Sequence, residues 1–176
     1  MLNAISKNSK LYIKGNKFYY GVLAVFILGG LCGSSYAISE GFGFVGGFLF
    51  FPIFLYLFFC FFPGLIPGKV LISLVQGENG YLVTKKGNVP FHHIRQINLM
   101  RNPLNLVNSM VIETSDQKVH KIPTYDLIDE VDYVVIVDKY IFPHMTSEAK
   151  AVWDRKVNLD KLYEEVKYER KFDLKS

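Results

Sequence analysis

Two long apolar stretches near the start of the chain constrain what it can fold into. Residues 18–39 and residues 41–68 contain no Asp, Glu, Lys or Arg, and only Glu40 separates them. An α-helix rises about 1.5 Å per residue, so roughly 20 apolar residues cross a bilayer core of about 30 Å. The pattern predicts a transmembrane hairpin over residues 18–68, with helices at 18–38 and 44–65 joined by a very short turn.

The charges around the hairpin predict its orientation. Four lysines precede the first apolar stretch: Lys7, Lys10, Lys14 and Lys17. Cationic residues next to a spanning segment are retained in the cytoplasm, and two crossings return the chain to the face where it started. We therefore expect a basic cytoplasmic N-terminus over residues 1–17, a cell-membrane location with two spans, and a cytoplasmic C-terminus. A cleavable signal peptide is the alternative, because small residues follow the basic start and the first apolar run.

Glycines in both predicted helices form small-xxx-small patterns. These are Gly29 with Gly33 in the first helix, and Gly43 with Gly47 in the second. Such patterns let helix backbones approach closely in lipid. We expect them to pack the two helices on each other, and a homo-oligomer through the glycine-rich helices is the alternative. Neither span carries a charged residue or a histidine, which favours an anchor over a transporter.

The remaining residues, 69–176, predict a polar α+β domain. Alternating apolar residues bounded by turn residues predict about five short strands, at 70–75, 81–84, 94–99, 109–114 and 118–122. Helical signals follow, with Asp126 as the predicted N-cap of one helix and new helices starting at Thr146 and Asn158. Strands first and helices last define the α+β class.

Longer runs carry a family resemblance. They include Arg101–Asn108, Pro123–Asp129 and Tyr140–Thr146, together with Trp153-Asp-Arg155. With the membrane hairpin and the strand meander, they resemble a family of small uncharacterised Bacillus membrane proteins with a pleckstrin-homology-like C-terminal domain. The resemblance implies a pleckstrin-homology-like fold and supplies no activity. In pleckstrin-homology domains the loop between the first two strands usually carries basic residues, whereas the segment 77–80, which we take for that loop, reads Gly-Glu-Asn-Gly.

Candidate chemistry in the polar domain is sparse. His92 and His93 would point to opposite faces of a strand, so they should not converge on one metal ion. The acidic residues 126–132 suit a helix N-terminus, and no nucleophile or phosphate-binding glycine loop accompanies them. We expect no catalytic residue, no metal, no cofactor, no nucleic-acid partner and no enzymatic activity.

Two functional hypotheses follow. The first is a non-enzymatic module that binds an unknown protein partner at the membrane surface, for example as an accessory or immunity partner of a toxin. The second is a module that senses anionic lipid or membrane stress, in which basic residues behind the anchor contact the headgroups of the lipid bilayer. The basic residues predicted for that contact are Lys85, Lys86, Arg95 and Arg101.

Overall fold

Two long apolar helices dominate the N-terminal part of the structure. The computed structural model describes residues 3–7, 9–41, 44–77 and 79–170. Helix α1 spans Lys17–Ser39 and helix α2 spans Phe44–Leu65, so the predicted helices are confirmed. The Asn16 side chain caps α1 by accepting a hydrogen bond from the Phe18 amide at 2.9 Å. Both helices are long and apolar enough to cross a membrane, and most of their side chains are not buried by the protein itself.

The segment before the first helix forms two strands that the sequence analysis did not predict. Strand β1 spans Asn3–Lys7 and pairs antiparallel with β2, Lys10–Lys14. Strand β2 also pairs with β3, Val70–Val75, so Leu11 lies opposite Leu74 and Ile13 opposite Ile72. Leu11 and Ile13 are buried in the core. The helical hairpin is therefore an insertion between two neighbouring strands of one sheet.

Two more strands complete this first sheet. Strand β4 spans Tyr81–Thr84 and β5 spans Gly87–Pro90, and the sheet order is β1-β2-β3-β4-β5, antiparallel throughout. The sequence predicted β4 but took residues 85–88 for a turn. The turn is shorter, because Gly87 (φ 120°) already pairs with Thr84.

A second sheet contains three antiparallel strands. They are β6 (Ile94–Arg101), β7 (Asn108–Thr114) and β8 (Val119–Pro123). The predicted turn between the last two is confirmed, with the Thr114 amide donating to the Lys118 carbonyl at 3.0 Å. Buried side chains of both sheets belong to one core: Leu11, Ile13, Ile72, Leu74, Leu82, Ile97, Met110, Ile112 and Ile122.

Three short helices follow the strands, which confirms the α+β class. They are α3 (Glu130–Tyr140), α4 (Ser147–Asp154) and α5 (Leu159–Val166). Thr146 and Asn158 cap α4 and α5 as predicted. The N-cap prediction for α3 was wrong, because Asp129 accepts the Asp132 amide at 2.6 Å whereas Asp126 has a left-handed backbone (φ 56°).

A buried carboxylate ties the C-terminal segment to these helices. Asp138 is 2% exposed and accepts hydrogen bonds from Trp153 Nε1 at 3.1 Å and from the Tyr168 hydroxyl at 2.9 Å. The Arg170 guanidinium bonds both Asp138 oxygens and also Asp154. A buried charge of this kind needs such partners to be tolerated.

Candidate functional site: the base of the helical hairpin

The loop between β8 and α3 holds the hairpin against the domain. The Asn16 amide donates to the Leu127 carbonyl at 2.8 Å. A Cβ placed on Gly15 would lie 2.6 Å from the Leu127 Cβ, and one on Gly64 would lie 2.5 Å from the Tyr125 Cβ. Only glycine permits contacts this close. Both ends of the hairpin are thus packed directly on one loop of the domain.

Two tyrosines of α1 make hydrogen bonds at the base of the hairpin. The Tyr19 hydroxyl donates to Asp129 Oδ2 at 3.2 Å, and the Tyr20 hydroxyl donates to the Leu65 carbonyl at the end of α2. Asp129 is also the N-cap of α3. One carboxylate therefore links the start of the first apolar helix to the start of the domain's first helix.

A groove of about 410 Å³ lies at this junction. Apolar side chains of Ile5, Tyr20 and Ile66 line it. Its lining also includes three lysines, Lys14, Lys17 and Lys69, and no acidic residue among those that the structure describes. We call it the junction groove. Its combination of apolar wall and cationic groups suits an amphiphile with a negative head.

A second groove, of about 300 Å³, shares Lys69 with the first. Lys85 and Lys121 also line it, beside Tyr125, and we call it the lysine cleft. The Lys69 Nζ lies 4.7 Å from the centroid of the Tyr125 ring and donates to the Pro63 carbonyl. Partial burial and the neighbouring Lys85 both lower the pKa of Lys69. An anion in the cleft would relieve that unfavourable charge environment.

The structure separates the four basic residues predicted for headgroup contact. Lys85 lines the lysine cleft, whereas Lys86 Nζ lies 3.5 Å from the Val119 carbonyl. Arg95 pairs with Glu113 at 3.6 Å. Arg101 donates from Nε to the Leu106 carbonyl at 3.1 Å, on the loop after β6. The lysines that do come together are those of the two grooves, and of the four predicted residues only Lys85 is among them. Lys14 and Lys17 were noted in the sequence only as indicators of orientation.

The glycines at which the two helices approach each other match the prediction only in part. A Cβ on Gly30 would lie 2.2 Å from the Phe54 ring, and one on Gly47 would lie 2.6 Å from Ile38 Cγ1. Gly29 and Gly33 have open space at that position, so they do not make the contact between the helices. Gly47 is thus the one predicted position in the interface, and Gly43 lies outside the described residues.

The histidines differ from prediction in their local structure. His92 and His93 belong to a 3₁₀ turn, Phe91–His93, and their ring centroids are 4.6 Å apart, so the expectation that a strand would separate them was wrong. His120 Nδ1 lies 3.1 Å from Thr84 Oγ1. Within residues 3–7, 9–41, 44–77 and 79–170, no three His, Cys, Asp or Glu residues are grouped as metal ligands. The junction groove and the lysine cleft, both of which could bind an anion, are therefore the candidate functional site.

Two helices that are long and apolar enough to cross a membrane, packed on an α+β domain, suggest a membrane-associated protein. The chain belongs to the family of unknown function DUF5381, whose sequence profile matches residues 9–163.

Two relatives come from Bacillus subtilis (strain 168). The uncharacterized lipoprotein YfjD is 38% identical over 112 residues, which cover 61% of this chain and 60% of the relative. The uncharacterized protein YfjE is 29% identical over 113 residues, which cover 61% of this chain and 74% of the relative. No solved structure matches the chain. The lipoprotein name of the first relative agrees with membrane association.

Proposed function

We propose that the protein is a two-span membrane protein whose cytoplasmic domain binds anionic phospholipid headgroups at the base of its hairpin. The observation that carries the proposal is the junction groove, where Lys14, Lys17 and Lys69 surround apolar side chains at the point where the hairpin leaves the domain. Each lysine near an anionic membrane surface contributes about 1 kcal/mol of attraction. The phosphate would contact the lysines, and the glycerol and upper acyl groups would pack on the apolar wall.

The strand pairing supports two crossings. Strand β2 precedes α1 and β3 follows α2, yet the two strands are hydrogen-bonded neighbours. Both ends of the hairpin must then lie on the same side of a bilayer that the helices enter. The lysines at these ends favour the cytoplasmic side.

The position of β2 also supports retention of the first helix. A signal peptidase that cut after α1 would remove β1 and β2 from the sheet, together with the buried side chains of Leu11 and Ile13. The loss of two buried aliphatic side chains costs several kcal/mol. Cleavage after α1 would therefore destabilise the domain, which supports retention of α1 in the mature protein.

We further propose that the domain is pleckstrin-homology-like, with the hairpin inserted between its second and third strands. Two packed antiparallel sheets followed by C-terminal helices support this assignment. The segment 77–80 then connects the third and fourth strands. Its lack of basic residues therefore says nothing against a ligand at the loop between the first two strands. The proposed lipid site lies elsewhere, at the hairpin base.

Native mass spectrometry of the full-length chain, released from detergent with phosphatidylglycerol or phosphatidylcholine added, tests the headgroup proposal. We expect preferential retention of phosphatidylglycerol, and a loss of that preference of at least about tenfold in the triple variant Lys14→Gln, Lys17→Gln, Lys69→Gln, since three contacts of about 1 kcal/mol are removed. The charge-matched control replaces Lys150, Lys156 and Lys161, on and beside α4 and α5, by Gln. Equal retention by the two triple variants would contradict the proposal.

A further inference from the structure

The loop between β6 and β7, residues 102–107, lies alongside the second apolar helix. The Tyr56 hydroxyl in α2 donates to the Leu104 carbonyl at 2.9 Å. Tyr56 precedes the end of α2 at Leu65 by nine residues, which corresponds to about 13 Å along the helix axis. The loop therefore extends beyond the base of the hairpin toward its middle.

The loop is apolar on its free surface. Leu104 is 82% exposed, the highest value among the exposed large hydrophobic side chains of the described residues. Leu106 in the loop and Met100, which precedes the loop in β6, are also exposed. On α2, Phe59 and Phe62 lie between Tyr56 and the domain, and they too are exposed. If these phenylalanines face lipid, a loop at the level of Tyr56 faces lipid as well.

The polar backbone of the loop is largely satisfied from within. Asn102 Oδ1 accepts the Leu104 amide at 3.0 Å, and Asn105 Oδ1 accepts the Val107 amide at 3.1 Å. The Asn102 carbonyl accepts a hydrogen bond from the Leu106 amide at 2.8 Å. The Asn102 amide donates to the Val107 carbonyl at 3.1 Å. Two side chains outside the loop bond two more of its carbonyls: Arg101 bonds that of Leu106, and Tyr56 bonds that of Leu104. Pro103 has no amide hydrogen to satisfy. Four of the loop's five backbone amides are therefore hydrogen-bonded, which lowers the cost of bringing this irregular segment into the apolar edge of a bilayer.

The positive charge of Arg101, just before the loop, interacts with a nearby carbonyl and a nearby carboxylate. The Arg101 side chain bonds the Leu106 carbonyl through Nε, and its charge favours the ionised form of Asp126, whose pKa burial otherwise raises. A long arginine side chain can keep its head at the polar interface while its stem lies against apolar groups. Arg101 therefore suits the boundary between headgroups and acyl chains.

We propose that the β6–β7 loop inserts into the acyl layer of the bilayer beside α2, so that the domain has a third membrane contact besides the two helices. The occupant of the apolar surface of Leu104 and Leu106 is lipid. This inference rests on the membrane insertion of the hairpin that we propose above, and not on headgroup binding.

Depth-dependent fluorescence quenching tests the insertion in the full-length chain, reconstituted in vesicles. A cysteine replaces Leu104 in a background in which Cys32 and Cys60 are Ser, and it carries an environment-sensitive NBD label. Val25, 74% exposed on α1, gives the control inside the membrane. Ser115, in the turn after β7, gives the control outside it, since the seven residues of β7 place it roughly 20 Å from the loop.

We expect doxyl-labelled acyl chains to quench the labels at residues 104 and 25 strongly and the label at residue 115 weakly. Quenching at residue 25 with none at residue 104 would overturn the loop insertion alone. No quenching at residue 25 would overturn the hairpin insertion and the loop insertion together. Thermal unfolding of each labelled variant checks that the fold is retained.

Discussion

Two tyrosines near the C-terminal helices, the buried Tyr133 of α3 and the half-buried Tyr168 after α5, show how differently a phenol can be accommodated. The Tyr168 hydroxyl donates to the buried Asp138 carboxylate at 2.9 Å. The Tyr133 hydroxyl is buried and has no hydrogen-bond partner among the residues that the structure describes, while its ring packs edge-on against Trp153. Burial raises the pKa of both phenols, and the Asp138 charge adds to the effect at Tyr168. Both phenols therefore stay protonated at neutral pH.

The two tyrosines should respond oppositely to loss of the hydroxyl. Tyr133→Phe removes an unsatisfied buried group, so we expect the free energy of unfolding to stay unchanged or rise by about 1 kcal/mol. Tyr168→Phe removes a hydrogen bond to a charged acceptor, so we expect a loss of about 1.5–3 kcal/mol. Thermal unfolding of the purified full-length variants in detergent measures both. A larger loss for Tyr133→Phe than for Tyr168→Phe would contradict the assigned partners.

Residue roles could be predicted from the sequence only where they are local. The N-caps Thr146 and Asn158 act on amides three residues away, so their spacing in the chain revealed them. Asp138 and Arg170 are far apart in the sequence, and no local pattern predicts that they meet. The lysines of the grooves were visible as charges, but their grouping depends on how β3, β4 and β8 come together.

At the scale of elements, the contact between the two apolar helices depends on one face of α1. Gly30 lies under the Phe54 ring, whereas its neighbour Gly29 faces open space. We expect Gly30→Leu to displace the Phe54 ring from its contact with α1 and lower the thermal unfolding temperature of the detergent-solubilised protein by several degrees, because a Cβ there would lie 2.2 Å from the ring. Gly29→Leu is the matched control and should change the thermal unfolding temperature little. The reverse order of effects would place the interface on the other face.

The strands that could not be predicted from the sequence have atypical local patterns. In β2 the buried residues Leu11 and Ile13 flank Tyr12, with a lysine at each end of the strand. An alternation over five residues with terminal lysines is too short to distinguish a strand from a basic segment that flanks a membrane helix. Strand β5 begins with Gly87 and ends with Pro90, both of which are typical of turns. The strands from β6 to β8 are longer or bounded by clearer turns, and they were predicted.

At the scale of the whole molecule, a hairpin of two apolar helices interrupts a folded domain instead of preceding it. The apolar lengths and the single Glu40 were sufficient to predict the helices. The pairing of β2 with β3 across the hairpin is long-range and could not be predicted from either segment alone. The protein partner and the absence of enzymatic activity stay predictions.

The most direct test of this account is a topology measurement in intact cells. Single cysteines replace Lys10 in β2, Glu40 between the helices and Ser115 after β7, in a background in which Cys32 and Cys60 are Ser. We predict that a membrane-impermeant maleimide labels residue 40 in intact cells, and labels residues 10 and 115 only after permeabilisation. Labelling of residues 10 and 115 from opposite sides would contradict the account, since strands of one sheet cannot be separated by a bilayer.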